Sequence, residues 1–130
     1  MYGHLTEEFS TVFDLDSPPV ALAFVDEVPV DLHTPSRAVP SACTFRRQAE
    51  AGTFFAPADL RFNCPIGART MGFSFTEAAQ QSLMGFVEKM TQCGYIALEE
   101  AERLPTVTKP KVGIVYGPLQ EFPMALSISS

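Results

Sequence analysis

The chain has 130 residues, of which 46% are hydrophobic and 18% are charged, and its formal net charge is -6 at pH 7. This length and apolar fraction exclude a disordered chain and leave room for one hydrophobic core, so we expect a single domain over residues 1–130. The net negative charge repels nucleic acid and anionic lipid, which argues against both as partners.

The N-terminal part predicts a helix, a buried strand and a loop. Apolar residues at positions 5, 9, 12 and 13 share one helical face, and Glu7 and Glu8 are expected near the positive end of the helix dipole. The run Val20–Val25 is too short for a buried helix and predicts a strand. Three prolines between residues 26 and 40 predict a surface loop that carries His33.

Two short helices are predicted in the middle of the chain. Ser41 is a suitable cap for a helix that begins at Ala42, and Gly52 is suited to the left-handed residue that ends it. Pro65 fits the first turn of a second short helix, since its missing N–H has no partner there, and Gly72 ends this helix.

The C-terminal part predicts two more helices and a second strand. Ser74 and Glu77 match the S-x-x-E capping box of a helix over 75–92, with Gly94 as its stop. A short helix is expected over 97–104, and a buried strand over 112–116 that a turn at Gly117 and Pro118 closes. Two apolar strands among several short helices predict an α/β or α+β layer structure with a small sheet.

Membrane and export signals are not expected in this sequence. No run approaches the roughly 20 apolar residues that span a bilayer. The first residues, MYGHLTEEFS, include acidic side chains and lack the apolar region of a secretory signal. We therefore expect a cytoplasmic protein.

Three cysteines are the residues with most chemical potential. In a chain without an export signal, they are expected to be thiols, metal ligands or redox groups rather than a disulfide framework. Cys43 falls in the first turn of a predicted helix and Cys64 directly before Pro65, where unsatisfied N–H groups favour a thiolate. Arg46 adds a positive charge nearby. Cys93 falls at the last turn of the longest predicted helix, so we expect a small buried hydrophobe.

A family resemblance adds to this interpretation. The segments SPPVALAFVDEVP, ACTFRRQAEAGTFF, FNCPIGARTMGF and VGIVYGPLQEFP occur in this order. Together they resemble the family called domain of unknown function 169, over residues 17–123. The motif NCPIGA, preceded by a cysteine-led helix, is the most specific part of the match. The resemblance implies a cytosolic prokaryotic protein, but it does not imply an established activity.

The resemblance also bears on the site and on partners. It implies that Cys43 and Cys64 are the two recurrent cysteines of the family's N-terminal half. Family members are commonly longer, so this chain is expected to resemble their N-terminal half and to leave a strand edge and apolar surface uncovered. Such surfaces favour pairing with a second copy, as a homo-oligomer, or with another subunit of a protein complex.

Three functional hypotheses stay open. The first is a module that binds an iron-sulfur cluster, haem or another metal through Cys43 and Cys64 as metal ligands, with a ligand from a partner chain completing the coordination sphere. The other expected cofactor-binding residues are Arg46, Asn63 and Gly67. The second is a noncatalytic subunit or interaction module whose cysteines only pack. The third is a thiol-based redox enzyme or sensor that uses the same pair of cysteines without metal.

Overall fold

The computed structural model describes residues 2–35, 42–59, 64–72, 76–105 and 112–123. These residues form an α+β structure with a small sheet and short helices, as the sequence predicts. In chain order the elements are α1 (Gly3–Phe13), β1 (Val20–Val25), α2 (Ala42–Ala51), β2 (Phe54–Pro57), α3 (Pro65–Thr70), α4 (Glu77–Gln92), α5 (Leu98–Arg103) and β3 (Gly113–Pro118), with a 3-10 turn at Leu119–Glu121.

The sheet is antiparallel and has the order β1-β3-β2, so β3 is the central strand. β2 was not predicted from the sequence. The predicted turn at Gly117 and Pro118 is wrong, because β3 continues through both residues. The missing N–H of Pro118 does not interrupt the pairing with β1, because the next residue, Leu119, donates its N–H to the carbonyl of Pro19 at 2.9 Å.

Two glycines in β3 allow β2 and the preceding Thr53 to lie close to this central strand. A Cβ atom at Gly113 would overlap the ring of Phe55 and the carbonyl of Ala56, and one at Gly117 would overlap the side chain of Thr53. Both positions therefore require glycine for packing. This is the structural role of two residues that flank the apolar run Ile114–Tyr116.

Each face of the sheet carries its own hydrophobic cluster. On the first face, side chains from β2 and β3 pack under α2 and α3, and the cluster consists of Phe45, Ala49, Phe54, Ala56, Ala68, Ile114 and Tyr116. On the second face, the cluster is smaller and consists of Val25, Phe55, Val115 and Phe122, against which Tyr2 and Leu32 pack. The described core therefore lies on both sides of β3.

The helix ends agree only partly with the sequence signals. Gly72 (φ 72°) and Gly94 (φ 73°) have left-handed backbones, as predicted, whereas the φ of Gly52 lies outside that region. The predicted capping box at Glu77 is wrong, because the cap of α4 is Thr76, whose hydroxyl accepts the N–H of Ala79 at 3.2 Å. Ser41 and Ser74 lie outside the described residues.

Helix α1 differs from its prediction in two respects. It begins at Gly3, so Glu7 and Glu8 lie beyond its first turn and not at its positive end. Its apolar face is also not covered by the described residues, because Leu5, Phe9, Val12 and Phe13 are exposed and Thr6 is the buried residue of the helix. None of the described helices is long and apolar enough to cross a membrane.

Candidate functional site

The two predicted thiols lie on neighbouring helices that cover the first face of the sheet. Cys43 is the second residue of α2 and is exposed to solvent. Cys64 is the N-cap residue of α3, directly before Pro65, and is half-buried. Helices α2 and α3 contact each other. The structure therefore gives the cysteines different surroundings, one on the outer side of α2 and one beside the core.

Cys64 packs against the cluster of the first face together with Met71. In this cluster the ring of Tyr116 lies between two other aromatic rings, with centroids 5.3 Å from Phe45 and 5.4 Å from Phe54. Tyr116 is only 4% exposed, and its hydroxyl has no hydrogen-bond partner among the described residues. Burial raises the pKa of Tyr116 above its ordinary value of 10.0. A buried hydroxyl without a partner is uncommon in native cores and calls for an explanation.

The other predicted site residues have varied positions. The guanidinium of Arg46 on α2 lies 3.0 Å from the carboxylate of Glu50 and donates to the hydroxyl of Ser17 at 3.1 Å. Gly67 is half-buried within α3, and Asn63 lies outside the described residues. The expectation for Cys93 is wrong, because this residue is the C-cap of α4 and is exposed.

The described residues do not provide a complete set of metal ligands. No group of three or more His, Cys, Asp or Glu side chains that could hold a metal ion occurs within residues 2–35, 42–59, 64–72, 76–105 and 112–123. A cofactor held by Cys43 and Cys64 would therefore need further ligands from elsewhere.

The outer edge of β1 is the second feature of interest. Pro19 accepts a hydrogen bond from Leu119 in the direction of β3, so the alternation of an antiparallel ladder directs residues 21 and 23 toward β3 as well. The backbone N–H and C=O groups of Val20, Leu22 and Phe24 consequently point away from the sheet. Within the described part of the chain, no strand pairs with this edge.

The opposite edge of the sheet is partly covered. Phe55 in β2 donates its outward N–H to the carbonyl of His33 at 2.8 Å, and His33 forms a parallel bridge with Phe54. His33, which was predicted in a surface loop, thus pairs with β2. Sequence reasoning missed this difference between the edges, because the pattern of β1 shows an apolar strand but does not show what pairs with it.

Exposed apolar side chains occur on β1 itself and, separately, on α1. Leu22 and Phe24 on β1 are 47% and 37% exposed, although both point to the first face of the sheet. The rings of Phe9 and Phe13 on α1 stack with centroids 5.6 Å apart, and both are exposed. Exposed apolar surface of this kind is typical of proteins that bind another molecule.

The fold and the site thus define an α+β domain with a three-stranded antiparallel sheet and a pair of cysteines on adjacent helices. A family model for domain of unknown function 169, described as an uncharacterised ArCR family, matches residues 8–128. The chain belongs to this family. No match was found among curated proteins or among solved structures.

Proposed function

We propose that this protein is an interaction module, a noncatalytic subunit that binds a strand-forming segment of another polypeptide along the outer edge of β1. The observation that carries the proposal is the outward direction of the backbone groups of Val20, Leu22 and Phe24, beside two exposed apolar side chains. Natural edge strands are normally shortened, bulged or charged to prevent pairing. β1 has six residues, and none of them is charged or proline.

The charges around β1 favour a basic partner. The exposed carboxylates of Asp14 and Asp16 precede the strand, and that of Glu27 follows it. Arg46 lies near the first of these ends, but its guanidinium is already paired with Glu50. A second copy of β1 in antiparallel pairing would bring the acidic beginning of one strand beside the acidic end of the other, which is unfavourable. A strand flanked by Lys or Arg is the complementary occupant.

The proposal can be tested with a designed peptide that alternates apolar and polar residues and carries two lysines at each end. Its addition to the labelled protein should shift the amide signals of residues 20–25 in nuclear magnetic resonance spectra, because strand addition forms new backbone hydrogen bonds there. A peptide of the same sequence with glutamate in place of lysine should bind about tenfold more weakly at low salt, and the difference should shrink in high salt.

Leu22→Pro is the variant that tests the edge itself. It removes a backbone donor that points away from β3, so the ladder between β1 and β3 keeps its bonds while the outer edge loses one. We expect this variant to lose peptide binding, whereas Leu22→Ala keeps the donor and weakens binding only moderately. Equal binding by both variants, or shifts confined to other elements, would contradict edge pairing.

The pair Cys43 and Cys64 supports a second candidate function, the binding of a metal, iron-sulfur or haem cofactor that is completed by ligands of a partner. The specific observation in its favour is the partnerless hydroxyl of Tyr116 in the cluster against which Cys64 packs. A bound group beside Cys64 would give this hydroxyl the partner that the described residues do not supply.

The second candidate is tested by an absorption spectrum and metal analysis of protein purified without oxygen. Cys43→Ala and Cys64→Ala should each remove bound metal or colour, and Cys93→Ala is the matched control because Cys93 is exposed at the far end of α4. A colourless, metal-free preparation would count against this candidate. Selective thiol oxidation of Cys43 and Cys64 in such a preparation would instead support the redox alternative.

A further inference from the structure

Helices α3, α4 and α5 enclose an apolar cleft to which no strand of the sheet contributes a described residue. The cleft has a volume of about 140 Å³. Its walls are formed largely by apolar side chains, among them Ile66, Leu83, Phe86, Val87, Met90 and Leu104. Phe86 is 46% exposed and Leu104 is 53% exposed. The apolar side chains of α4 are therefore only partly packed against the other described elements.

Among the described residues that line this cleft, Arg69 is the charged one. It lies in the last turn of α3, is half-buried, and also lines a wider opening that contains Glu88 and Glu102. Among the described residues, no carboxylate forms an ion pair with it. A guanidinium is weakly hydrated and matches the geometry of a carboxylate, so an unpaired, half-buried arginine beside apolar walls favours an anionic group.

The size of the cleft limits the apolar part of a ligand. A cavity of about 150 Å³ lined by Leu, Ile and Phe is known to accept benzene. We propose that this cleft binds a small aromatic carboxylate, with its ring among Leu83, Phe86 and Met90 and its carboxylate at Arg69. This site is independent of the β1 edge, because no residue of β1 lines it.

The proposal is tested by titrating phenylacetate and the uncharged 2-phenylethanol into the labelled protein. Phenylacetate should shift and saturate amide signals of α3, α4 and α5. It should bind about tenfold more tightly than 2-phenylethanol, because one charge-assisted hydrogen bond supplies about this gain in affinity. Arg69→Gln should remove this difference. Arg103→Gln is the matched control, because Arg103 lies in the last turn of α5 but outside the cleft.

A second pair of variants tests the apolar part of the site. Met90→Trp fills the cleft and should abolish binding of both probes. Met84→Trp should leave binding unchanged, because Met84 is 66% exposed and lines only the wider opening. Equal affinity of the wild-type protein for both probes, or unchanged selectivity in a folded Arg69→Gln variant, would overturn the proposal. Circular dichroism confirms folding, and the Arg69 comparison decides the matter if Met90→Trp does not fold.

Discussion

Phe54, Tyr116 and Leu22 lie beside one another across the three strands of the sheet. The first two are buried, whereas Leu22 is exposed. Phe54 in β2 and Tyr116 in β3 are 5% and 4% exposed, whereas Leu22, on the other side of Tyr116, is 47% exposed. Phe45 of α2 packs on the first two, and the backbone of His33 pairs with the edge of β2. β1 and β2 are similarly apolar, yet β2 forms a partly covered edge and β1 forms an edge that no described strand covers. The difference comes from the segments that pack beside each strand.

The largest expected difference along this row is in stability. Phe54→Ala removes a buried ring and should lower the free energy of unfolding by about 3–5 kcal/mol. Leu22→Ala removes a side chain that is already half in water, and it should cost less than about 1 kcal/mol. Urea denaturation of both variants measures the difference. Equal losses would mean that the two edges are packed to the same degree.

Tyr116, the middle residue of this row, predicts that the free energy of unfolding changes with pH in the alkaline range. Because burial raises the pKa of Tyr116 in the folded state, the unfolded chain loses the tyrosine proton first as the pH rises above its ordinary value of 10.0. Stability from this group is therefore complete below pH 10 and should fall above it by about 1.4 kcal/mol per pH unit. Urea denaturation at a series of pH values measures the slope.

The control for that experiment is the same series on Tyr116→Phe, since other groups titrate in the same range. The difference between the wild-type and Tyr116→Phe curves isolates the hydroxyl. A difference that stays constant across alkaline pH would show that the phenol titrates alike in the folded and unfolded states.

A small gain in stability is expected for Tyr116→Phe at neutral pH. The change keeps the ring between Phe45 and Phe54 and removes a buried hydroxyl without a hydrogen-bond partner. It should raise the free energy of unfolding by about 1 kcal/mol. Denaturation of the purified variant measures this gain. A loss of stability accompanied by loss of bound metal or colour would instead support the second candidate function.

Local patterns predicted much of the fold. The regions of all five described helices were expected from helical spacing and end signals, and β1 was expected with the bounds that it has. β2 escaped prediction because Phe54–Pro57 has only four residues and ends in proline. Its place in the sheet comes from pairing with β3, more than fifty residues later in the chain, and no local pattern reports such a contact.

The candidate sites were predicted less well, for a related physical reason. Periodicity shows which face of a helix is apolar, but it does not show whether another element covers that face, as the exposed Phe9 and Phe13 of α1 illustrate. The helix-start signals at Ser41 and Pro65 placed Cys43 and Cys64 at helix beginnings, where they are found. The cleft beside Arg69 was not foreseen, because it arises from the packing of three separate helices.

The bridge between His33 and Phe54 also limits how many strands can add to the sheet. With β2 bridged by a segment of its own chain, the described part of the sheet leaves the outer edge of β1 for the incoming strand that we propose. On that proposal, growth stops after one addition. Release of the His33 segment, for example by cleavage between β1 and α2, would create a second place at the opposite side, and molecules able to pair at both sides can assemble into open-ended filaments.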